Sequence, residues 1–187
     1  MANRTLVAQF VAADRRAVVS TRRKRTATTA ATTVGQIRQQ ALRLLPHVSI
    51  GSAPDGAGLT NAETVLWADT DTDRQLPTVT IVGQQVEIRI SFDHANWTFG
   101  DGASDTTDSP GRPYDAESDP CETAQCADYY GHTYRSTGRV TVTLTVAWNA
   151  QYRLGGQSWT DVGAAPLTGP AGTQSLTIRQ ARGVIVH

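Results

Sequence analysis

The sequence predicts an all-β sandwich that carries a basic, partly helical or disordered N-terminal extension. Three observations lead there. From residue 62 onward apolar residues recur at every second position, the period of a strand with one buried face. Gly- and Asn-containing turn signals punctuate these runs, and no helical period recurs after residue 45. Six to eight short strands arranged this way indicate a sandwich.

The extension comes first in the chain. Residues 1–50 hold nine basic residues and one acid, Asp14, whereas residues 51–187 hold eight basic and sixteen acidic residues. The formal net charge of zero therefore hides a +8 segment joined to a −8 domain. Residues 1–32 lack a clear period and read as disordered, with a cluster at Arg22, Arg23, Lys24 and Arg25. Such a cluster attracts polyanions without any fold, but no aromatic is interleaved with it. Lys24 is the only lysine, and an Arg bias of that kind reflects a gene rich in G and C. A nucleic-acid partner is not implied.

Thr33 and Gln36 have capping-box spacing, and Val34, Ile37, Ala41, Leu44 and Leu45 follow a 3.6-residue period as far as Pro46. A helix is predicted over 33–45. About three turns do not hold alone in water, so this helix must pack, fray, or continue a longer segment. Residues 46–61, containing "SIGSAPDGAGLTN", read as a linker. The extension thus spans 1–61 and the β domain 62–187.

"ETVLWAD" makes a short strand, and "TVTIVGQQVEIRISF" makes two, joined at Gly83-Gln84. Val86, Ile88, Ile90 and Phe92 alternate with polar residues, and Ala95, Trp97 and Phe99 continue the buried face. The longest strand, "GRVTVTLTVAW", sets Val140, Val142, Leu144, Val146 and Trp148 on one side and Thr141, Thr143 and Thr145 on the other. Gly155-Gly156 signals a hairpin. "SLTIRQARGVIV" closes the chain with Leu176 and Ile178, then Val184 to Val186.

Cys121 and Cys126 are separated by four residues, which is wrong for paired C-x2-C zinc sites, and the four histidines are scattered. A local disulfide fits better than two free thiols and would imply an oxidising compartment. No run approaches the ~20 apolar residues of a membrane span. A signal peptide is not evident: "TLVAQFVAAD" stops at Asp14, and "TRRKRT" is followed by polar "ATTAATT". Either a signal lies upstream or the protein stays inside.

"NWTFGDG", with Trp97, Phe99, Gly100, Asp101 and Gly102, precedes His132, Thr133 and Tyr134, and then Gly138, Val142, Leu144 and Val146. In that order these residues resemble the polycystic kidney disease (PKD) domain family over residues 62–187. Thr98 and Val140 depart from the family's usual Asp and Tyr, and the 29 residues 103–131 replace a much shorter gap. The resemblance implies an immunoglobulin-like, PKD-type β-sandwich. It also implies a non-enzymatic module of secreted or cell-envelope proteins, one that mediates protein–protein interaction or acts as a spacer. In such a sandwich Trp97 fills the middle of the core, where an aromatic buries about 150–250 Å². Phe99 extends that plug, and Gly100 and Gly102 allow backbone angles other residues resist. Asp101 bonds its own turn, and Tyr134 fits a tyrosine corner near the start of the long strand.

Catalysis finds no support in the sequence. There is no Gly-x-Ser-x-Gly elbow, phosphate-binding loop or His-Glu-x-x-His. Asp101, Asp105, Asp108, Asp115 and Asp119 could in principle cage calcium, but the EF-hand pattern is absent and turns favour Asp. No metal or cofactor is expected. Asn96-Trp97-Thr98 spells a glycosylation sequon whose central Trp belongs in the core.

The partner expected is another protein at the cell surface. The alternative is a polysaccharide, stacked on exposed Trp67 or Trp159, with the domain anchoring an enzyme. Trp148 belongs to an inward face, and Trp159 would otherwise pack across its hairpin. Residues 103–131 hold three prolines, seven acids and the only two cysteines. A connection this long is usually functional or disordered. Tyr114, Tyr129 and Tyr130 would there join Trp159 as contact residues, and replacing 104–130 by a short turn is expected to leave the fold intact.

Overall fold

A computed structural model describes residues 33–180 apart from 122–125 and 127. The basic cluster within 1–32 and Val184 to Val186 lie outside the described residues. Two long antiparallel strands, β6 (Gln84–Thr98) and β9 (Gly138–Leu154), pair from Val86 opposite Leu154 to Thr98 opposite Thr143. The other edge of β6 takes β5 (Val79–Ile81), β4 (Asp73–Gln75) and β7 (Ser104–Thr107) in succession. The other edge of β9 takes β12 (Gly172–Arg179), β11 (Leu167–Thr168) and β10 (Thr160–Asp161). β2 (Ala57–Leu59) joins β12 in parallel. A second sheet has the order β1 (Ser49–Ala53), β3 (Glu63–Asp69), β8 (Gly131–Thr133). The chain is mostly β, and its one helix among the described residues, α1, covers 33–44.

One buried cluster joins the two sheets and the helix. Leu66 and Ala68 of β3 meet Ile88, Ile90, Trp97, Leu144 and Trp148 of the large sheet. Ile37, Ala41 and Leu45, four residues apart along the helical side, enter the same cluster, as do Val48 and Ile50. Arg38 ties α1 down by donating to the carbonyls of Ala165 at 2.9 Å and Pro166 at 3.3 Å. The helix therefore packs rather than frays. Residues 49–59, linker by composition, are strands β1 and β2, and the core begins at α1 rather than at residue 62. Composition misled here because Gly51 and Gly58 are needed for close approach. A Cβ on Gly51 would lie 1.9 Å from the Trp67 indole of the paired strand.

The inward face of β6 changes parity along the strand. Val86, Ile88 and Ile90 are buried at even positions, Ala95, Trp97 and Phe99 at odd ones. A bulge between Phe92 and His94 inserts Asp93 and makes the change. Asp93 is held by Asn149, which donates at 2.7 Å, and by His94 at 2.6 Å. Without that extra residue Trp97 would point to solvent.

Val82 and Gly83 form the two-residue turn between β5 and β6, both with positive φ, 51° and 74°. Glycine tolerates this conformation, whereas a β-branched residue is strained by it. Val82 is also 76% exposed, so no packing repays the strain. Val82→Asn should stabilise the fold by ~1 kcal/mol, read as a higher urea midpoint at unchanged slope. An unchanged or lower midpoint would show that Val82 makes a contact its exposure conceals.

No helix among the described residues is long and apolar enough to cross a membrane.

Candidate functional site

The end of β6 gathers the residues singled out by sequence. Trp97 is buried to 1% exposure and donates its indole N–H to Thr107 Oγ1 at 3.2 Å. Phe99 N–H bonds the Ala103 carbonyl at 3.1 Å and closes the turn through Gly100, Asp101 and Gly102. Gly100 has φ 78°, and a Cβ there would sit 2.6 Å from the Thr141 carbonyl oxygen. Only glycine serves. Asp101 Oδ1 accepts the Ala103 N–H at 3.0 Å, as a turn Asp should. Its Oδ2 accepts from His132 Nε2 at 2.7 Å. The His132 ring lies flat on Phe99, centroids 3.9 Å apart, and edge-on to Tyr134. Partial burial works against the Asp101 charge, but the bonds from His132 and Ala103, with the His132 charge, hold its carboxyl below the usual range.

Tyr134 is fully buried, but its hydroxyl does not bond backbone near the start of β9. It donates to the Phe99 carbonyl at 3.3 Å, at the end of β6 and 35 residues away. The hydroxyl thus ties two distant segments rather than forming a local corner, because β8 returns the chain beside the β6 turn. Burial, aided by the Asp101 charge, pushes the phenol up to about 12, and burial with the Asp105 charge raises Tyr130 in the same direction. A raised folded value means full stability below pH 10, lost as pH climbs from 10 towards about 12. Alkaline titration monitored by far-UV circular dichroism should show unfolding in that window. Tyr134→Phe should cost ~1 kcal/mol at neutral pH and shift the alkaline midpoint upward; an identical alkaline midpoint would remove Tyr134 from that transition.

The described residues of the 103–131 connection lie against the domain. They start as β7, then cross the outer face of β3. The Ala68 N–H bonds the Pro110 carbonyl at 2.7 Å, and the Leu66 N–H bonds the Tyr130 carbonyl at 2.8 Å. On that outer face Val65, Cys126 and Tyr129 are buried, with Ala53, Trp67, Tyr114 and Cys121 packed around them. The sulfur atoms of Cys121 and Cys126 stand at disulfide distance, 2.01 Å. Cys126 N–H donates to Glu63 Oε2 at 2.6 Å. Arg112 pairs with Asp119, donates to the Asp128 carbonyl, and lies 4.2 Å above the Tyr129 ring.

The tyrosine candidates are accordingly turned inward. Tyr129 is buried, its hydroxyl accepting from Asp115 N–H and donating to the Asp119 carbonyl. Tyr114 is half-buried and accepts the Cys121 N–H. Tyr130 packs on Trp97, centroids 5.3 Å apart, and reaches Asp105. Trp159 lies against the guanidinium groups of Arg89 and Arg153, at 4.5 and 4.7 Å. Trp67 sits beneath the connection and Trp148 is wholly buried. Trp67 and Trp159 are both only half-exposed. Among the described residues no three His, Cys, Asp or Glu come together as a metal group.

A groove of about 640 Å³ lies beside the β6 turn, lined in part by Asp101, His132, Tyr134 and the 135–139 stretch that leads into β9. Arg135 and Arg139 bracket Ser136, Thr137 and Gly138 there. Sequence reasoning passed over these two arginines. Their signal was a pair of cations around a turn in an otherwise acidic domain. No protein-family model matches the chain, and no curated protein matches its sequence.

Proposed function

We propose that this chain is a non-enzymatic, PKD-like module of the cell envelope or exterior, built on an immunoglobulin-like sandwich, which holds or spaces a partner protein. The observation that carries this reading is the use made of the motif. Trp97, Phe99 and Tyr134 are buried, and His132 and Asp101 bond each other. The side chains with chemical reach thus serve packing and turn geometry, as a binding scaffold requires. Two sheets share one core, which supports the sandwich, and the cysteine pair supports an oxidising compartment. The test is thiol trapping, together with protease treatment of intact cells, on tagged full-length chain in its native host. Oxidised cysteines and protease access are expected; a reduced, protected chain would refute the placement.

A second reading, attachment to a polysaccharide, is favoured by one surface rather than by the tryptophans. The outer face of the large sheet presents aligned uncharged side chains. Ser104, Thr98, Thr143 and Thr173 run side by side across four strands. Thr106, Asn96 and Thr145 form the next row, with Thr106 bonded to Asn96 at 3.0 Å. Such a face offers hydroxyl donors and acceptors at the ~4.8 Å strand spacing. Co-sedimentation with insoluble polysaccharide, lost in Thr143→Arg, would support it; equal sedimentation of parent and variant would not.

A further inference from the structure

We propose that the groove beside the β6 turn docks an acidic segment of the partner protein, whose carboxylates are gripped by Arg135 and Arg139. This rests on the reading of the chain as a protein-binding module and names what that module recognises. Residues 51–187 carry sixteen acids against eight cations. Among its arginines, Arg112 finds Asp119, Arg153 finds Glu87 and Arg89 finds Gln151, whereas Arg74, Arg135, Arg139 and Arg179 have no side-chain partner among the described residues, and only Arg135 and Arg139 of these four line the groove. The guanidinium groups of Arg135 and Arg139 are thus unengaged, although the Arg139 backbone pairs with β12.

The one carboxylate in the groove does not compete for them. Asp101 is engaged on both oxygens, by Ala103 N–H and by His132. That leaves two guanidinium groups, each able to take a carboxylate bidentately. The hydroxyls of Ser136 and Thr137 lie between them in sequence, and Ala103, Thr133, Tyr134 and Val140 also line the groove. A space of about 640 Å³ suits a few residues of peptide rather than a broad face. A long polyanion such as nucleic acid would also meet the net −8 of the surrounding domain, whereas a short acidic segment confines its charge to the groove.

The test uses full-length chain and a fluorescent hexaglutamate peptide carrying a photo-crosslinker, at low salt. Binding should weaken with added salt, and the crosslinks should map to residues 132–140. Arg135→Ser/Arg139→Ser should bind at least ~10-fold more weakly with an unchanged melting temperature, because neither side chain bonds the fold. Arg135→Lys/Arg139→Lys should recover part of the affinity, since charge returns without the planar fork. Crosslinks confined to the basic residues before 33, or parent-like affinity in the double Ser variant, would overturn the proposal. So would a single-stranded DNA oligomer that binds more tightly than hexaglutamate through the same two arginines. Loss of this site with a surface-exposed, oxidised chain leaves the module reading intact. A reduced intracellular chain that still binds hexaglutamate removes that reading and keeps the groove.

Discussion

Trp97→Ala should unfold this domain or leave it barely folded. The indole sits on the inward face of β6, packs against Tyr130 and bonds Thr107, so truncation opens a void and removes the one bond that the Thr107 hydroxyl accepts. Aromatic-to-alanine changes in a core cost ~3–5 kcal/mol, against a total of roughly 5–15 kcal/mol for ordinary domains. Urea denaturation of the parent, Trp97→Ala and Trp97→Phe would measure it. Phe keeps most of the ring volume and should lose less. A Trp97→Ala protein that unfolds at the parent's midpoint would mean that β6 does not pass through the centre of the core.

Replacing residues 104–130 by a short Gly/Ser turn should be equally damaging, contrary to the expectation drawn from composition. The segment covers Val65 and Trp67, and uncovering side chains of that size costs ~1.5–3 kcal/mol each. It also supplies β7, the Thr107 partner of Trp97, and the carbonyls that pair with Leu66 and Ala68. A loss of about 3–6 kcal/mol follows from the two side chains alone. Reduction of Cys121–Cys126 should cost less, near or below the lower end of the ~2–4 kcal/mol range, because the bridged residues are only five apart. Comparing the three proteins by chemical denaturation orders these effects. A shortened chain as stable as the parent would show that the outer face of β3 needs no cover.

The two predictions differ in how far the sequence anticipates them. Trp97 is legible because alternation along a strand is local: Ala95, Trp97 and Phe99 share a face whatever the rest of the chain does. The buried side of β9 is legible for the same reason, as are the glycines of the β6 turn, which answer to backbone sterics within a few residues. The parity change at Asp93 was visible only as a shift from even to odd apolar positions. The bulge that causes it needs β9 alongside to be defined.

Residues 103–131 show the opposite case. Their prolines and acids rule out a central strand, and that holds, since β7 is a short edge strand. Their role as a cover depends on Val65 and Trp67, at least 36 residues earlier. Trp67 reads as an exposed side chain, and nothing local says that both faces of β3 are buried. Tyr114, Tyr129 and Tyr130 looked exposed for the same reason. The candidate groove follows this pattern too, because Arg135 and Arg139 become a site only where the β6 turn brings Asp101 and His132 beside them.

By itself the sequence determined the β class, the inward faces of β6 and β9, the helix before Pro46 and the tight turn at Gly100 to Gly102. All of these follow from side-chain periodicity and backbone sterics, which act between near neighbours. Only the tertiary structure decided that α1 and β1 belong to the core, that β2 joins the large sheet, that the long connection shields β3, and that Tyr134 reaches Phe99. Each of those depends on pairing residues far apart in the chain. The free energy of such pairing comes from burying two remote surfaces together, and no local pattern specifies which two they will be.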